Sequence, residues 1–292
     1  MQSFACARRK SWRRPVVRGL RTLDAFALRL PRLLPMPATA LPELFVMLSL
    51  GAAMGFFGGL FGIGGGIIVI PLLVLGFSLD QAMAQGTALV MMVPNLLIAW
   101  WRYSQRHPVA LKTALQIGVL ASVTTGLVAH VATRLAPDLM RGVFSVFLLV
   151  VSLRMLMYRP AGSSAQASPT HDPRYLPLVG ILGGGSMGLL GVGGGLVATP
   201  IFTGWFGQKQ TVAQSLSLAL VAPSSIIALL TYSAAHSVNW TMGLPLAVGG
   251  LFTVSAGVAV AHRLPERRMR AAFASMLLCT AVWMLVKPLL LH

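Results

Sequence analysis

The chain has 292 residues, 56 % of them hydrophobic and only 10 % charged, with a mean hydropathy of +0.77, so water is not its main solvent. Its formal charge of +17 would suit a nucleic-acid binder, but nine of the 23 Lys and Arg residues lie in the first 32 positions and the rest are scattered through short loops, which excludes nucleic acid as the partner. The two cysteines, Cys6 in the basic tail and Cys279 inside an apolar run, form neither a disulfide framework nor a ligand cluster, so no metal, cofactor or redox chemistry is expected.

Residues 1–40 read as a basic leader, held on the cytoplasmic side against anionic headgroups. The first apolar run begins near Leu41 and is long enough to cross a core of roughly 30 Å, so it reads as a first span and not as a cleaved signal peptide. Spans follow near 41–63, 82–101, 109–133 and 139–157, a first transmembrane repeat over 41–157. Residues 158–174, rich in Pro, Ser and Gly, read as a polar linker. A second repeat over 175–292 has spans near 175–191, 211–232, 240–261 and 271–291. Lipid offers the backbone no partners, so such runs are helices. The expected fold is therefore all-α and polytopic: about eight transmembrane helices in two tandem four-helix repeats, the first helix of each broken by glycine.

Two short apolar pieces, 67–75 and 196–205, lie between the first and second spans of each repeat and cannot cross alone. If they are re-entrant, the crossing count changes and the copies are inverted instead of parallel. Only the basic tail sets the orientation, N-terminus inside, because the loops on the two sides are otherwise equally basic.

The repeat is legible in sparse residue types. A shift of 129 positions lays Gly62, Gly64, Gly65, Gly66 and Pro71 on Gly191, Gly193, Gly194, Gly195 and Pro200 without a gap. The same shift carries Gln81 and Gln85 to Gln210 and Gln214, Pro94 to Pro223, and Tyr103, Ser104 and His107 to Tyr232, Ser233 and His236. Arg134 and Arg141 fall likewise on Arg263 and Arg270.

The glycine runs carry the chemistry. Three successive glycines cost about 1 kcal/mol each in a helix and the following proline about 3 kcal/mol, so each helix should break there. Broken backbone at membrane depth is tolerated only against protein, ligand or a watery cavity. The half-helix beyond the break presents unpaired N–H groups and the positive end of its dipole, a cradle for an anion without a buried charge. Gly51, Gly55, Gly59, Gly180, Gly184 and Gly188 read instead as close-packing positions.

On the next span, Gln85, Thr87 and Asn95 in the first repeat and Gln214, Ser215, Ser217 and Ser224 in the second are the polar groups within reach. Gln85 and Asn95 are ten residues apart, close to three turns, and share a side. Both readings of Gln85 and Gln214, ligand contact and interhelical hydrogen bond, stand open, while the serines read as packing contacts. The candidate substrate-binding set is Gly64, Gly65, Gly66, Gln85, Thr87, Asn95, Gly193, Gly194, Gly195, Gln214 and Ser217.

All six acidic residues, Asp24, Glu43, Asp80, Asp138, Asp172 and Glu266, lie in tails, loops or span ends, which argues against a cation pump. His130 is the one histidine well inside a span, and its counterpart is Ala259, so it is a minor candidate for proton transfer. The stretch Gly184-Gly185-Ser186-Met187-Gly188 matches a hydrolase elbow, but it lacks the strand-turn-helix context and has no counterpart in the first copy, so no enzyme is expected.

Phe61-Gly62-Ile63-Gly64-Gly65-Gly66 with Pro71, Ala84-Gln85-Gly86-Thr87, and Gly191-Val192-Gly193-Gly194-Gly195 with Pro200 resemble the sulfite exporter TauE/SafE family of membrane permeases. The resemblance runs from about Leu44 to Leu290. It implies a secondary carrier or uniporter in a bacterial-type inner membrane, whose substrate is sulfite, an organosulfonate or another small anion. The expected partners are that anion, the lipid bilayer and, as a candidate, a second copy of the chain. The alternative is a non-transporting assembly protein that uses its small residues for helix packing alone.

Overall fold

A computed structural model describes residues 40–61, 65–106, 110–157, 173–192, 194–208, 210–261 and 266–290. The basic leader up to Thr39, the segment 158–172, and the site glycines Gly64 and Gly193 lie outside the described residues. Within them the chain forms α1 Ala40–Phe61, α2 Gly66–Gly76, α3 Gln81–Arg106, α4 Leu111–Ala132 and α5 Pro137–Met157. A 3-10 turn, Pro173–Leu178, leads into α6 Val179–Leu190, α7 Gly194–Gly204, α8 Gln210–Ala234, α9 Trp240–Ala261 and α10 Glu266–Leu290. Among the described residues there is no strand. The shift of 129 carries both ends of α4 onto both ends of α9, and the remaining helices follow to within a turn or so at most ends.

The outer faces identify the solvent. On α4, Leu115, Val119, Val123, Leu127 and Val131 recur every four residues and are exposed, Leu127 to 67 %. Leu244, Val248 and Phe252 hold the shifted positions on α9, with Phe252 at 81 %. A stripe of large apolar side chains on the outside of two helices is stable against acyl chains and not against water. Four helical stretches, Gln81–Trp101, Lys112–Ala132, Val212–Ala234 and Trp240–Gly257, are long and apolar enough to cross a membrane, and shorter apolar helices accompany them. The protein is a multi-pass membrane protein.

The two copies interlock. Gly51 and Gly55 of α1 lie against the backbone of Leu246 and Gly250 of α9, and Gly180 and Gly184 of α6 lie against Ile117 and Ala121 of α4. Each pair is the other displaced by 129 positions, so the first span of each copy packs on the third span of its sister. Hydroxyls fasten both crossings: Thr253 donates to the Ala52 carbonyl at 2.6 Å and Thr125 to the Gly184 carbonyl at 2.9 Å. Backbones this close leave no room for a side chain. Gly184→Val is therefore expected to cost about 1–3 kcal/mol by overpacking. Gly142→Ala, where a Cβ meets nothing within 4 Å, should instead gain about 0.5–1 kcal/mol. Thermal unfolding in detergent checks both.

Contact order along each helix pair fixes direction. Residue numbers rise together in α1 and α9 (Gly51 with Leu246, Gly55 with Gly250) and in α6 and α4 (Gly180 with Ile117, Gly184 with Ala121, Gly188 with Thr125). They also rise together in α3 and α9 (Thr87 with Asn239, Val90 with Gly243) and in α4 and α8 (Gly118 with Ala219, Gly126 with Ile227). Helices α3 and α8, which pack on each other, meet head to tail. Gln85 near the start of α3 bonds Tyr232 near the end of α8, and Gly86 sits on the backbone of Ser237 just beyond it. So α1, α3 and α9 run one way, and α6, α8 and α4 the other. In the three pairs α1 and α6, α3 and α8, and α4 and α9 the equivalent helices are opposed, so the two copies are inverted. Because α1 and α3 run the same way, α2 between them doubles back along α3, and α1–α2 is a hairpin; α6–α7 is its inverted twin.

Candidate functional site

Each hairpin turns at glycine. Gly65, the residue before α2, has φ 85° and ψ −16°, a left-handed conformation that costs glycine nothing, and its carbonyl accepts the amides of Ile68 and Val69 at 3.1 Å each. In the second copy Gly191 ends α6 at φ 66°, its amide bonded to the Met187 carbonyl at 3.0 Å. Neither break faces outward: Gly65, Gly66, Gly191, Val192 and Gly194 are all buried.

The two turns meet. A Cβ placed on Gly66 would lie 2.7 Å from Val192 Cγ1 and closer still to Met92 Sδ, so the first tip rests on the second with the α3 thioether alongside. A Cβ on Gly191 would lie 3.0 Å from the Cβ of Gln85. The seam is thus bounded by Gly66, Val192, Gly191, Gln85 and Met92. Helix geometry leaves the amides of Gly66 and Ile67, at the start of α2, without intrahelical partners.

Polar groups in the interior gather on the two central helices. Gln81, Gln85, Thr87 and Asn95 on α3 and Ser215, Ser217, Ser224 and Ser225 on α8 are buried. Their partners sort them. Gln85, fully buried, accepts at Oε1 from the Tyr232 hydroxyl at 2.8 Å, and that hydroxyl also reaches the Gly188 carbonyl at 3.1 Å. Among the described residues the Nε2 of Gln85 has no partner, nor does either polar side-chain atom of Gln81 or Asn95. Four residues separate Gln81 from Gln85 and ten separate Gln85 from Asn95, so the three amides follow one stripe of α3. Unpaired amides buried this deeply are costly unless something else completes them.

Thr87 has a different occupation. Its Oγ1 accepts the Asn239 amide at 3.0 Å, while Asn239 Oδ1 accepts the Met242 amide at 3.2 Å, so Thr87 fastens the cap of α9. Ser217 shares a hydrogen bond of 2.8 Å with Thr199 and ties α7 to α8. Ser224 turns back to the Leu220 carbonyl at 2.7 Å. Gln214, the counterpart of Gln85, is half-buried. Gly194 and Gly195 open α7, where a Cβ on either would meet Val221, the counterpart of Met92. Sequence reasoning left out Gln81 and Tyr232 as site residues, although both stand among the sparse types that repeat; α8 runs past Tyr232 to Ala234 and buries the ring completely.

Among the described residues no charged side chain borders the seam, and the carboxylates of Asp80 and Asp138 are exposed. The junction offers neutral N–H donors: helix-start amides and the free Nε2 of Gln85. Such a set suits a ligand that accepts hydrogen bonds and carries negative charge.

The family model for the sulfite exporter TauE/SafE matches residues 47–284, which includes both hairpins and every central helix. The chain belongs to the sulfite exporter TauE/SafE family. Curated relatives of this TauE/SafE chain carry the name "probable membrane transporter protein". One from Methanocaldococcus jannaschii is 23 % identical over 257 residues, covering 82 % of this chain and 95 % of its own. One from Xylella fastidiosa (strain Temecula1) is 25 % identical over 251 residues, covering 83 % and 95 %. The Bacillus subtilis protein YunE is 24 % identical over 245 residues, covering 76 % and 90 %. No solved structure matches this TauE/SafE chain.

Proposed function

We propose that the protein is a secondary permease that moves a small sulfur-containing anion, sulfite or an organosulfonate, across the cytoplasmic membrane, with its basic leader on the cytoplasmic side. The observation that carries this reading is the contact between the two glycine tips beside Gln85, whose donor nitrogen is buried and unpaired. An anion lodged there accepts from the first amides of α2 and from Gln85 Nε2, and the positive ends of the half-helix dipoles favour its charge without a buried lysine or arginine that would hold it too tightly to leave.

Inverted copies give the site two approaches. In a carrier of this design the binding point sits where the copies meet, and the copies take turns at closing it from either face. Three of the four hairpin arms are short, 11 residues each for α2 and α7 and 12 for α6, or about 16–18 Å at 1.5 Å per residue, about half the hydrocarbon thickness, while α1 has 22. Two tips entering from opposite faces would therefore meet near the midplane.

Purified protein in liposomes is expected to exchange sulfite or methanesulfonate in counterflow, and Gly65→Leu with Gly194→Leu to abolish the exchange while the protein elutes as a folded species. Thiosulfate, sulfoacetate and small carboxylates in the same assay rank the substrates. Normal exchange in the double variant would remove the seam as the binding site, and no exchange of any anion by the unaltered protein would leave only the helix-packing role.

A further inference from the structure

The amide of Gln85 can face the seam in two ways. Turned one way it presents Nε2, a donor; turned through 180° about its last bond it presents Oε1, an acceptor that would repel an anion. Nothing within a glutamine selects between them. The selection comes from the other copy, through the Tyr232 hydroxyl at 2.8 Å from Oε1. We propose that Tyr232 is the positioning residue of the anion seam, holding Gln85 by its oxygen so that the nitrogen faces the ligand. The proposal rests on the seam being the binding site.

Three features of the geometry support it. The phenol ring is fully buried between the helices, so the direction of the hydroxyl is set by the protein groups packed around it. The hydroxyl carries a single proton, which it gives to the nearer oxygen, Gln85 Oε1 at 2.8 Å, while the Gly188 carbonyl lies beside it at 3.1 Å. Gly188 lies in the last turn of α6, and Gly191, which ends that helix, is the residue on which the Gln85 stem rests. One hydroxyl thus registers α8, α6 and α3 together, and any shift of the second hairpin tip reaches Gln85.

The arrangement crosses the copies: the glutamine comes from the first and the tyrosine from the second. Their shifted counterparts are Gln214 and Tyr103, and Gln214 is half-buried where Gln85 is fully buried. The two glutamines are therefore unequal in this state, and Gln85 is the one whose donor is fixed.

The test is a double-mutant cycle on sulfite counterflow in liposomes. Tyr232→Phe keeps the ring and removes the hydroxyl. It is expected to raise KM for sulfite about tenfold, the loss of one well-directed hydrogen bond to a charged ligand, with the maximal rate within about twofold of the unaltered protein. Gln85→Ala should raise KM further, and Tyr232→Phe added to Gln85→Ala should change nothing more, because the tyrosine acts only through the amide. Gln85→Asn, which draws the amide away from the hydroxyl and leaves Tyr232 in place, should reproduce the Tyr232→Phe rise and serves if that variant does not fold. Additive losses in the cycle, or a fall in maximal rate with KM unchanged, would overturn the assignment and leave Tyr232 a packing residue. An unaltered protein that moves sulfite with a KM indifferent to Gln85→Ala would overturn the seam itself, together with this assignment.

Discussion

A cysteine placed at Ser164, in the segment between the copies, should react with a membrane-impermeant maleimide from the face opposite to one placed at His292, the end of the chain. The background for both is Cys6→Ser with Cys279→Ser, which removes the native thiols. The expectation follows from helix direction. In the first copy α1 and α3 run the same way, so the α1–α2 hairpin enters and leaves on one face. Then α3 crosses, α4 crosses back, and the tight turn at 133–136 sends α5 across again, its amides bonded to the last carbonyls of α4. A hairpin and three crossings carry the chain to the far face. The second, inverted copy returns it, so the start of α1 and the end of α10 share a face and the end of α5 does not. Parallel copies of four crossings each would leave linker and ends together, so labelling of both cysteines from the same side would defeat the inverted arrangement and the midplane seam with it.

The helices and their register were legible in the sequence because each depends on local composition. Long apolar runs must be helical in lipid, and a shift of 129 is fixed by glutamines, prolines and tyrosines that a membrane chain uses sparingly. The breaks were legible for the same reason: Gly65 and Gly191 take left-handed backbone, which glycine adopts freely. Direction was not legible. It depends on which helix each glycine face meets, and Gly51 could not announce a partner in Leu246, nearly two hundred residues on. Side-chain roles failed in the same manner. Thr87 has the same polarity as its neighbour Gln85, but two residues of helix, about 200° of rotation, send its hydroxyl to the amide of Asn239 and Gln85 to the seam. Tyr232 read as the end of a span, and only the packing of α8 on α3 puts the hydroxyl within reach of an amide from the other copy.

A single methyl group at Gly66 should cripple transport without unfolding the protein. Gly66 opens α2 with an ordinary backbone, so alanine brings no strain there and as a helix former is favoured by about 1 kcal/mol. The obstacle is space: the new Cβ would fall 2.7 Å from Val192 Cγ1, 2.9 Å from Met92 Cε and nearer yet to Met92 Sδ. Either the thioether swings aside into the seam or the two tips part. Overpacking of this kind costs about 1–3 kcal/mol, and if it falls on the site the loss of anion occupancy is roughly five- to hundredfold. Met92→Ala in the same protein removes the thioether and should restore most of the flux, since two of the three atoms nearest the new Cβ belong to Met92. Gly204→Ala is the control, because a Cβ there meets nothing within 4 Å and transport should be unchanged. The measurement is counterflow of sulfite in liposomes beside thermal unfolding in detergent. If Gly66→Ala transports normally, the tips are not where the anion passes. If Gly66→Ala with Met92→Ala is no better than Gly66→Ala alone, the loss does not come from the contact between the tip and α3, and the seam would have to be held by Val192 alone.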